Sequence, residues 1–397
     1  MLIFLVFSSF GRGLGRSLLP LGWVKIYARG LEYFSMNKPI LYFAITSHGF
    51  GHAVRSAAVA ATIQQMCPDL LLILVTAAPR WLLEAYITGD FIHRQRSFDV
   101  GVIQADSLTM DKDATWQRWQ EIKAKERMIL ASEVDFIKTN RVGLVLGDIP
   151  PLASEIAAVA GVPCWMLSNF GWDFIYRDWG GEFTGLADQI GASYGKVDRL
   201  FRLPLHEPMT AFPKIQDVGL TGGDPRYSYA ELKATFGLHQ PQSRTILLTF
   251  GGLGLNQIPY QNLALFPNWQ FITFDRQAPD IPNLVKVTEN KYRPVDFMPF
   301  VDRVVSKPGY STFAEALRLD CPITSLTRKD FAEATVLLEG IRTYGQHQII
   351  NPEEFFQGNW NFLHQPCQPP SQSTPVAKDG NETIAQAVIN YLNVNSG

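Results

Sequence analysis

Residues Pro39–Ala60, PILYFAITSHGFGHAVRSAAVA, predict a strand, a glycine loop and a helix in immediate succession. Ile40–Ile45 is continuously apolar, as a strand of a parallel sheet is when both of its faces are covered. In the loop Ser47–His52, glycines let the main chain approach a ligand, and the helix N-terminus that follows favours an anion such as a phosphate. The loop histidines can exchange a proton near neutral pH. The stretch indicates an α/β fold and group transfer from a phosphorylated donor, although the same turn also occurs without a ligand.

Strand and helix patterns alternate along the chain and form two α/β halves. The first half has predicted strands at Ile40–Ile45, Leu70–Val75, Val142–Leu146 and Val162–Leu167, and predicted helices at Ala53–Gln65, Thr115–Thr139 and Pro151–Ala160. The second half has predicted strands at Thr245–Phe250, Gln270–Phe274, Leu284–Val287, Arg303–Ser306 and Pro322–Ser325, and predicted helices at Thr312–Leu319 and Glu333–Thr343. Such alternation is typical of βαβ units and predicts a parallel sheet in each half.

The remaining segments set the predicted domain boundaries. Tyr194–Gly222 has several prolines and weak periodicity and is interpreted as a connector. We therefore assign residues 37–215 to a first domain and residues 216–365 to a second. Residues 366–397 are predicted to hold a mobile Pro/Ser/Gln-rich stretch and a final helix, Asn381–Leu392, that packs back onto the first domain.

The first 36 residues differ from the rest of the chain. An apolar run, MLIFLVFSSF, is followed by basic residues. The run is too short to span a bilayer, and its basic residues follow it, unlike those of a secretory signal. Two interpretations stay open: residues 1–35 contact a membrane surface peripherally, or residues 1–36 are a leader outside the fold and Met36 is the start. We favour the second, because Met36 leads directly into the first strand.

Composition limits the class of protein. The chain has 397 residues, of which 46% are hydrophobic and 18% charged, as expected for a globular protein with a sizeable core. Its net charge of −2 argues against broad binding to nucleic acid. The 4 cysteines include no C-x-x-C pair and the 7 histidines have no metal-binding spacing. We therefore expect free thiols, a cytoplasmic location, and no metal or other cofactor.

Two histidines and one aspartate are the strongest catalytic candidates. His48 and His52 follow the first predicted strand, and Asp148 comes just after Val142–Leu146. Residues past the carboxyl ends of parallel strands line one crevice, so we expect His52 and Asp148 to meet there. A carboxylate bonded to one imidazole nitrogen raises the basicity of the other, which lets the pair deprotonate a hydroxyl. Alternatively, Asp148 caps the helix that begins near Pro150, and one residue could serve both roles.

Glycine turns in the second half are candidates for binding a diphosphate. Gly251, Gly252 and Gly254 follow a predicted strand, and their backbone N–H groups can cradle phosphates. No Lys-Ser or Lys-Thr follows, which excludes a P-loop. The spacing also differs from G-x-G-x-x-G, which argues against a dinucleotide site.

A second helix start, VVSKPGYSTFAEAL at Val304–Leu317, can also receive an anion. Ser311 or Thr312 is its predicted N-cap, with Glu315 at the spacing of a capping box. Glu315 can reach back to the cap or out to ribose hydroxyls, and the capping role is the more common of the two.

An aromatic segment follows the fourth predicted strand and contains Asn169, Trp172 and Asp173. Aromatic rings past a strand end can form the wall of an acceptor pocket on which sugars stack. The alternative is a buried aromatic cluster that fixes the loop. This alternative is favoured for Phe174 and Tyr176 over Trp172.

These motifs resemble those of GT-B glycosyltransferases, which have two Rossmann-like domains facing a cleft. The HGFGH loop is similar to the GGTGGH loop of the bacterial N-acetylglucosaminyltransferase that makes lipid II, and the match puts His52 at the histidine position. GDIPPLASEIAAVAGVP resembles the region of UDP-dependent plant glycosyltransferases in which an aspartate supports the catalytic histidine, and this aspartate falls on Asp148. In VVSKPGYSTFAEAL, the glutamate that contacts ribose in the same families falls on Glu315.

The chain departs from the plant enzymes in its second half. It has Ser306–Tyr310 where they have His-Cys-Gly-x-Asn, and it matches their Asp/Glu-Gln pair beside the sugar only loosely, with Asp330 and Glu333. The closest resemblance is to the glycosyltransferase-like amino-terminal region of plant L-arabinokinases. HGFGHAVR, SNFGWDFIYRDW and KPGYSTFAEAL carry it, over Pro39 to about Phe356. Since no kinase portion or ATP loop is found, we expect a stand-alone form of this GT-B unit.

The resemblance implies transfer of a hexose from a nucleotide diphosphate sugar, such as a UDP-sugar, to a hydroxyl acceptor without a metal. His52 is the expected base and Asp148 its partner. The expected donor-side residues are Gly251, Gly252, Gly254, Gly309, Ser311, Thr312, Glu315, Asp330 and Glu333, and the expected acceptor-side residues are His48, Gly49, Gly51, Asn169, Trp172 and Asp173. Two alternatives stay open: a catalytically silent module that binds a nucleotide sugar, and a sugar-nucleotide epimerase of GT-B fold.

Overall fold

A computed structural model describes residues 38–105, 108–252, 254–255 and 257–395. The predicted leader, residues 1–36, lies outside these described residues. So does the segment 1–35, for which contact with a membrane surface was the other interpretation. From Lys38 onward the chain forms one compact unit.

The first sheet is built around the strand that opens the fold. Within the described residues its strands are β1 (Ile40–Ile45), β2 (Leu71–Val75), β3 (Ile92–Arg94), β4 (Leu144–Asp148), β5 (Cys164–Ser168), β6 (Arg199–Arg202) and β7 (Ile215–Asp217). The helices that accompany it are α1 (Gly51–Met66), α2 (Arg80–Glu84), α3 (Lys112–Thr139), α4 (Pro151–Ala160), α5 (Trp172–Trp179) and α6 (Phe183–Tyr194). Helices cover both faces of this parallel sheet, which explains why β4 and β5 are buried along their whole length.

The second sheet repeats this arrangement. Within the described residues its strands are β8 (Thr245–Thr249), β9 (Gln270–Thr273), β10 (Leu284–Lys286), β11 (Arg303–Ser306), β12 (Ile323–Leu326) and β13 (His347–Ile350). The helices of this part are α7 (Tyr229–Phe236), α8 (Pro294–Phe297), α9 (Tyr310–Arg318), α10 (Glu333–Tyr344), α11 (Pro352–Gln357) and α12 (Gly380–Asn395). The predicted α/β class, with a parallel sheet in each half, is confirmed.

Both sheets have the strand order of a doubly wound fold. The first runs β3-β2-β1-β4-β5-β6-β7 and the second β10-β9-β8-β11-β12-β13. The chain reverses direction across each sheet between its two central strands, β1 and β4 or β8 and β11. In register, Ile45 lies opposite Asp148, and Thr249 lies opposite Ser306. Ligands of such folds bind beyond the carboxyl ends at these points.

The connector predicted at Tyr194–Gly222 is wrong in part. It contains β6 and β7, which extend the first sheet. The domain boundary assigned between residues 215 and 216 therefore falls inside β7. Both strands are short and only partly buried, with the sequences RLFR and IQD, and segments of this length give no usable periodicity.

The carboxyl-terminal helix packs onto the first domain, as expected. Ile384, Val388 and Leu392 of α12 join the core cluster that contains the buried face of α1, and the Tyr391 ring lies 5.1 Å from that of Trp165. The stretch 366–375, interpreted as mobile, is hydrogen-bonded through its backbone to β13 and to α10. None of the helices in the described part of the chain combines the length and the apolar character needed to cross a bilayer.

Candidate functional site

The central strands of both sheets end at one cleft. The first sheet contributes the loop after β1 and the first turns of α1, and the second sheet contributes the turns after β8 and β11 and the start of α9. The lining residues are His48, Gly49, Phe50, Gly51, His52, Arg55, Gln104, Thr249, Gly251, Gly252, Lys307, Pro308, Gly309, Tyr310, Ser311, Thr312, Arg328, Phe331 and Glu333. The cleft lies where the strand order predicts a ligand.

His52 and Asp148 form a buried pair at this cleft. His52 lies in the first turn of α1, and Asp148 is the last residue of β4. The Nδ1 atom of His52 lies 2.8 Å from Oδ1 of Asp148. Helix α4 has Pro150 as its N-cap, without a side-chain bond, so Asp148 does not cap it. The carboxylate instead faces the imidazole.

Arg55, one turn further along α1, also binds Asp148. Its Nε donates to Oδ2 at 2.7 Å and its Nη2 donates to Oδ1 at 2.5 Å. Ser56 Oγ donates to Oδ2 at 2.8 Å. With His52, four bonds surround this fully buried carboxylate. Burial alone would raise the pKa of Asp148, but Arg55 and His52 hold it well below its usual range.

The hydrogens of Arg55 determine which nitrogen of His52 carries the proton. Nη2 of Arg55 lies 2.9 Å from Nδ1 of His52. Both of its hydrogens are used, one toward Asp148 Oδ1 and one toward Ser168 Oγ at 2.8 Å. Nδ1 of His52 is therefore the donor to Asp148. The other ring nitrogen, Nε2, keeps its lone pair and can accept a proton.

His48 forms part of the cleft wall. Its ring stacks on Phe331 with centroids 5.6 Å apart, and the edge of Trp172 lies 5.1 Å away. The backbone N–H of Val102 lies 3.1 Å from its Nδ1. Burial lowers the pKa of His48 well below its ordinary value, so the ring is neutral at pH 7. Gly49, the next residue, has a φ of 59°, in the left-handed region that favours glycine.

Asn169 connects the two walls of the cleft. Its Oδ1 accepts from Nη1 of Arg55 at 2.7 Å, and its Nδ2 donates to Oε1 of Glu333 at 2.8 Å. Asn169 and Glu333 are both buried. The His52–Asp148 pair of the first domain is therefore linked to the second domain. The link runs through Arg55 and Asn169 to Glu333, the first residue of α10.

Trp172 and Asp173 lie outside the lining of the cleft. Trp172 is buried in an aromatic cluster, and its Nε1 donates to Thr46 Oγ1 at 3.2 Å. Asp173 is partly buried, which raises its pKa, and its Oδ1 has no hydrogen-bond partner among the described residues. Trp172 therefore belongs to a buried aromatic cluster, the alternative that the sequence favoured for Tyr176. Tyr176 is buried in the same cluster.

Glycine backbone forms much of the second-domain wall. Gly251 has a φ of 77°, and Gly252 packs so closely on Phe50 of the first domain that a Cβ would clash with the ring. Gly309 precedes α9 as its N-cap. Gly254 lies outside the lining of the cleft. The structure therefore brings Gly251, Gly252 and Gly309 to one wall.

The capping box predicted for the helix after β11 is wrong. Helix α9 begins at Tyr310, and Gly309 is its N-cap without a side-chain bond. Ser311 and Thr312 therefore lie in the first turn, where both line the cleft. Ser311 Oγ donates instead to the carbonyl of Gly51 across the cleft, at 2.6 Å.

Glu315 is turned away from the cleft. Its carboxylate accepts from the backbone N–H of Gly223 at 3.0 Å and from Tyr86 OH at 3.2 Å. Burial raises the pKa of Glu315 to about 7. Asp330 also lies outside the lining, where it is exposed and pairs with Lys112 at 3.4 Å. Of the acids expected on the donor side, Glu333 is the one that reaches the cleft.

The sequence analysis did not identify three basic residues that line the cleft: Arg55, Lys307 and Arg328. Arg55 is almost fully buried, although it stands in an alanine-rich helix pattern like a surface residue. Lys307 and Arg328 follow β11 and β12 within two residues, and a basic residue directly past a parallel strand is the signal that could have identified them. Within the described residues, no three His, Cys, Asp or Glu side chains are placed to share a metal ion.

Solved glycosyltransferases share this architecture. The calicheamicin glycosyltransferase CalG4 matches 91% of this chain and 100% of its own, with a TM-score of 0.57 and 15% identity. The chain has the GT-B fold. UGT89C1 of Arabidopsis thaliana complexed with UDP matches 91% of this chain and 99% of its own, with a TM-score of 0.57 and 12% identity. The spinosyn forosaminyltransferase SpnP matches 90% and 95%, with a TM-score of 0.54 and 12% identity.

A curated sequence is similar over most of the chain. The L-arabinokinase of Arabidopsis thaliana is 29% identical over 343 residues, which are 83% of this chain and 32% of the relative. The chain thus spans about a third of the length of the curated relative. The resemblance to L-arabinokinases and to GT-B glycosyltransferases is confirmed. No protein-family model matches the chain.

Proposed function

We propose that this protein is a glycosyltransferase that transfers a hexose from a nucleotide diphosphate sugar to a hydroxyl acceptor without a metal. The observation that carries the proposal is the placement of the His52–Asp148 pair across one cleft from glycine turns and a helix N-terminus. A base and an anion site are the two parts that this reaction needs. UDP is the proposed nucleotide, because UGT89C1, which shares the fold, is complexed with UDP.

In the proposed reaction the acceptor hydroxyl attacks the anomeric carbon of the donor. Nε2 of His52 takes the hydroxyl proton, while Nδ1–H stays bonded to Asp148. The new bond joins the acceptor oxygen to the anomeric carbon. The bond from that carbon to the diphosphate oxygen breaks, and its electron pair leaves with the diphosphate. General-base help of this kind typically contributes about 10²–10⁴ in rate.

The second-domain wall supplies the groups that stabilise the departing diphosphate. Backbone N–H groups at Gly251 and Gly252 and the first turn of α9 can bind its oxygens. Lys307 and Arg328 add positive charge to the same wall. Fixed dipoles and cations can take the part that a divalent ion has in other enzymes, so we propose transfer without a metal.

The first test is a thermal-shift screen with UDP-, GDP-, ADP- and dTDP-sugars, followed by assay of nucleotide release with and without hydroxyl acceptors. We expect one nucleotide class to raise the melting temperature of the protein. We also expect nucleotide release to require both an acceptor and His52. His239, an exposed histidine that bonds to Gly237 O, provides the matched control. His52→Ala should lower transfer by about 10²–10⁴ and His239→Ala should leave it unchanged. Equal activity in both variants would contradict the role of His52.

One observation favours a second candidate, a module that binds a nucleotide sugar without transferring it. Asp148 is not reserved for His52, because the same carboxylate also pairs with the guanidinium of Arg55. Binding of a nucleotide sugar with no turnover over a broad acceptor panel would support this candidate. An epimerase would need further acids at the cleft, and of Asp173, Asp330 and Glu333 the described lining contains Glu333 alone.

A further inference from the structure

Lys307 lies at the positive end of a helix and forms no ion pair with any of the residues that the structure describes. Its Nζ is 3.8 Å from the position that a Cβ on Gly309, the N-cap of α9, would occupy. Its Cε is 3.6 Å from the corresponding position on Gly251. The side chain is partly buried and lines the cleft, and among the described residues it has no hydrogen bond or ion pair. A cation at a helix N-terminus is disfavoured, because the helix dipole already places positive charge there.

The groups around Lys307 add to this cost more than they relieve it. Arg328, which follows β12, contributes a like charge from the same wall. His48, on the loop after β1, is neutral. Glu333 at the start of α10 is the acid that faces Lys307, and its Oε1 is already bonded to Asn169. The turn after β8 brings glycine backbone and no charge. The ammonium form of Lys307 therefore has Glu333 as a nearby acid but forms no direct ion pair among the described residues, and an incoming anion would supply one.

We propose that binding of a nucleoside diphosphate in the cleft takes up one proton, which Lys307 holds while it pairs with the diphosphate. This inference rests on the proposed donor site and adds a coupling between the donor site and pH. In the free protein, burial and then Arg328 lower the pKa of Lys307 to about 7. A diphosphate beside the amine restores the charged form, and the proton comes from the buffer. Release of the nucleotide returns that proton to the solvent.

The coupling is measured by calorimetric titration with UDP, or with GDP, ADP or dTDP if one of these gives the larger thermal shift. Titrations in Tris and in Hepes at pH 8 separate the enthalpy of binding from the enthalpy of buffer ionisation. From a pKa of about 7 in the free protein, linkage predicts uptake of about 0.9 proton per nucleotide at pH 8. It also predicts that Kd weakens by about eightfold between pH 7.5 and 8.5.

Variants show whether Lys307 is the group that takes up the proton. Lys307→Arg keeps a charge that does not titrate, so affinity should be retained while proton uptake disappears. Lys307→Met should lose the uptake and weaken binding about ten- to hundredfold, as expected for loss of a charged partner. Lys286→Arg is the matched control, because Lys286 is also partly buried but already pairs with Asp280 and Ala278 O. It should keep both affinity and uptake.

The outcomes separate this inference from the proposed function. Binding with equal enthalpies in both buffers and a Kd that does not change with pH would overturn the coupling and leave the donor site standing. Uptake that persists in Lys307→Arg would overturn the assignment to Lys307. Failure of all four nucleoside diphosphates to bind would overturn the proposed function, and the inference with it.

Discussion

Replacing Asp148 by asparagine should destabilise the protein by about 3–5 kcal/mol, the usual cost of removing one partner of a buried ion pair. The structure indicates why the cost should be this large. Asp148 is fully buried and accepts two bonds from Arg55, one from Ser56 and one from His52. An asparagine amide can replace one oxygen as an acceptor but not both. It leaves the Arg55 charge, with 1% of the side chain exposed, without its counterion.

The assay is equilibrium unfolding by urea, followed by fluorescence and circular dichroism at pH 7. The double variant Asp148→Asn/Arg55→Met should recover part of the loss, because replacing both partners removes the uncompensated charge. A loss below about 1 kcal/mol in Asp148→Asn would refute the reasoning, since such values are typical of exposed ion pairs. If the double variant is no more stable than Asp148→Asn, the uncompensated charge of Arg55 is not the cause of the loss in stability.

The dependence on pH gives an independent check of the same pair. The pKa of Asp148 is depressed in the folded protein, so its stabilising effect is present above the unfolded pKa of about 3.9 and is lost as the pH falls toward the folded value. The difference in unfolding free energy between the natural protein and Asp148→Asn should therefore stay constant from pH 7 to about 5 and shrink below about pH 4. A difference that shrinks between pH 7 and 5 would mean that another group titrates.

Three further predictions follow from the site. His52→Ala should lower transfer by about 10²–10⁴ while Kd for the nucleotide stays within about twofold, because the base and the phosphate site are on opposite walls; a near-native rate would exclude His52 as the base. Transfer should persist in EDTA, as measured by nucleotide release, and strict dependence on Mg²⁺ or Mn²⁺ would contradict the role given to Gly251, Gly252 and the start of α9. Glu315→Gln should leave nucleotide affinity unchanged, since Glu315 lies outside the cleft. Burial raises the pKa of Glu315 to about 7, so its protonated form stabilises the protein below about pH 4.5 and this effect is lost as pH rises through 7. Between these pH values, the free energy of unfolding in urea should therefore decline less in Glu315→Gln than in the natural protein.

The sequence predicted the fold well where segments are long and buried. Ile40–Ile45 and Arg303–Ser306 were predicted with the bounds that the structure has, and so was the helix Pro151–Ala160. These segments have one dominant pattern, because both faces are covered or because a proline and a glycine mark the ends. β6 and β7 were missed because segments of three or four residues that begin and end with partly exposed side chains carry no such pattern.

The site was predictable where topology alone positions a side chain. His52 and Asp148 could be paired across 96 positions because they lie at or just past the carboxyl ends of neighbouring parallel strands. Arg55 could not be found in this way, since a pattern does not show whether an arginine in an alanine-rich helix faces solvent or a buried carboxylate. The role of Glu315 depended on the helix start, which lies at Tyr310, before the predicted Ser311 or Thr312 cap. Its carboxylate bonds instead to the backbone N–H of Gly223.

A chain of side-chain hydrogen bonds that runs through Arg55 connects the two domains. His52 is held by Asp148, Asp148 by Arg55, Arg55 by Asn169, and Asn169 by Glu333 of the second domain. If the two walls separated, the hydrogen bond between Asn169 and Glu333 would break, whereas the bonds of Arg55 to Asn169 and Asp148, which lie within the first domain, would remain. His52 is therefore connected to the opposite wall by a continuous chain of four hydrogen bonds, although no side chain of that wall forms a hydrogen bond with His52 among the described residues.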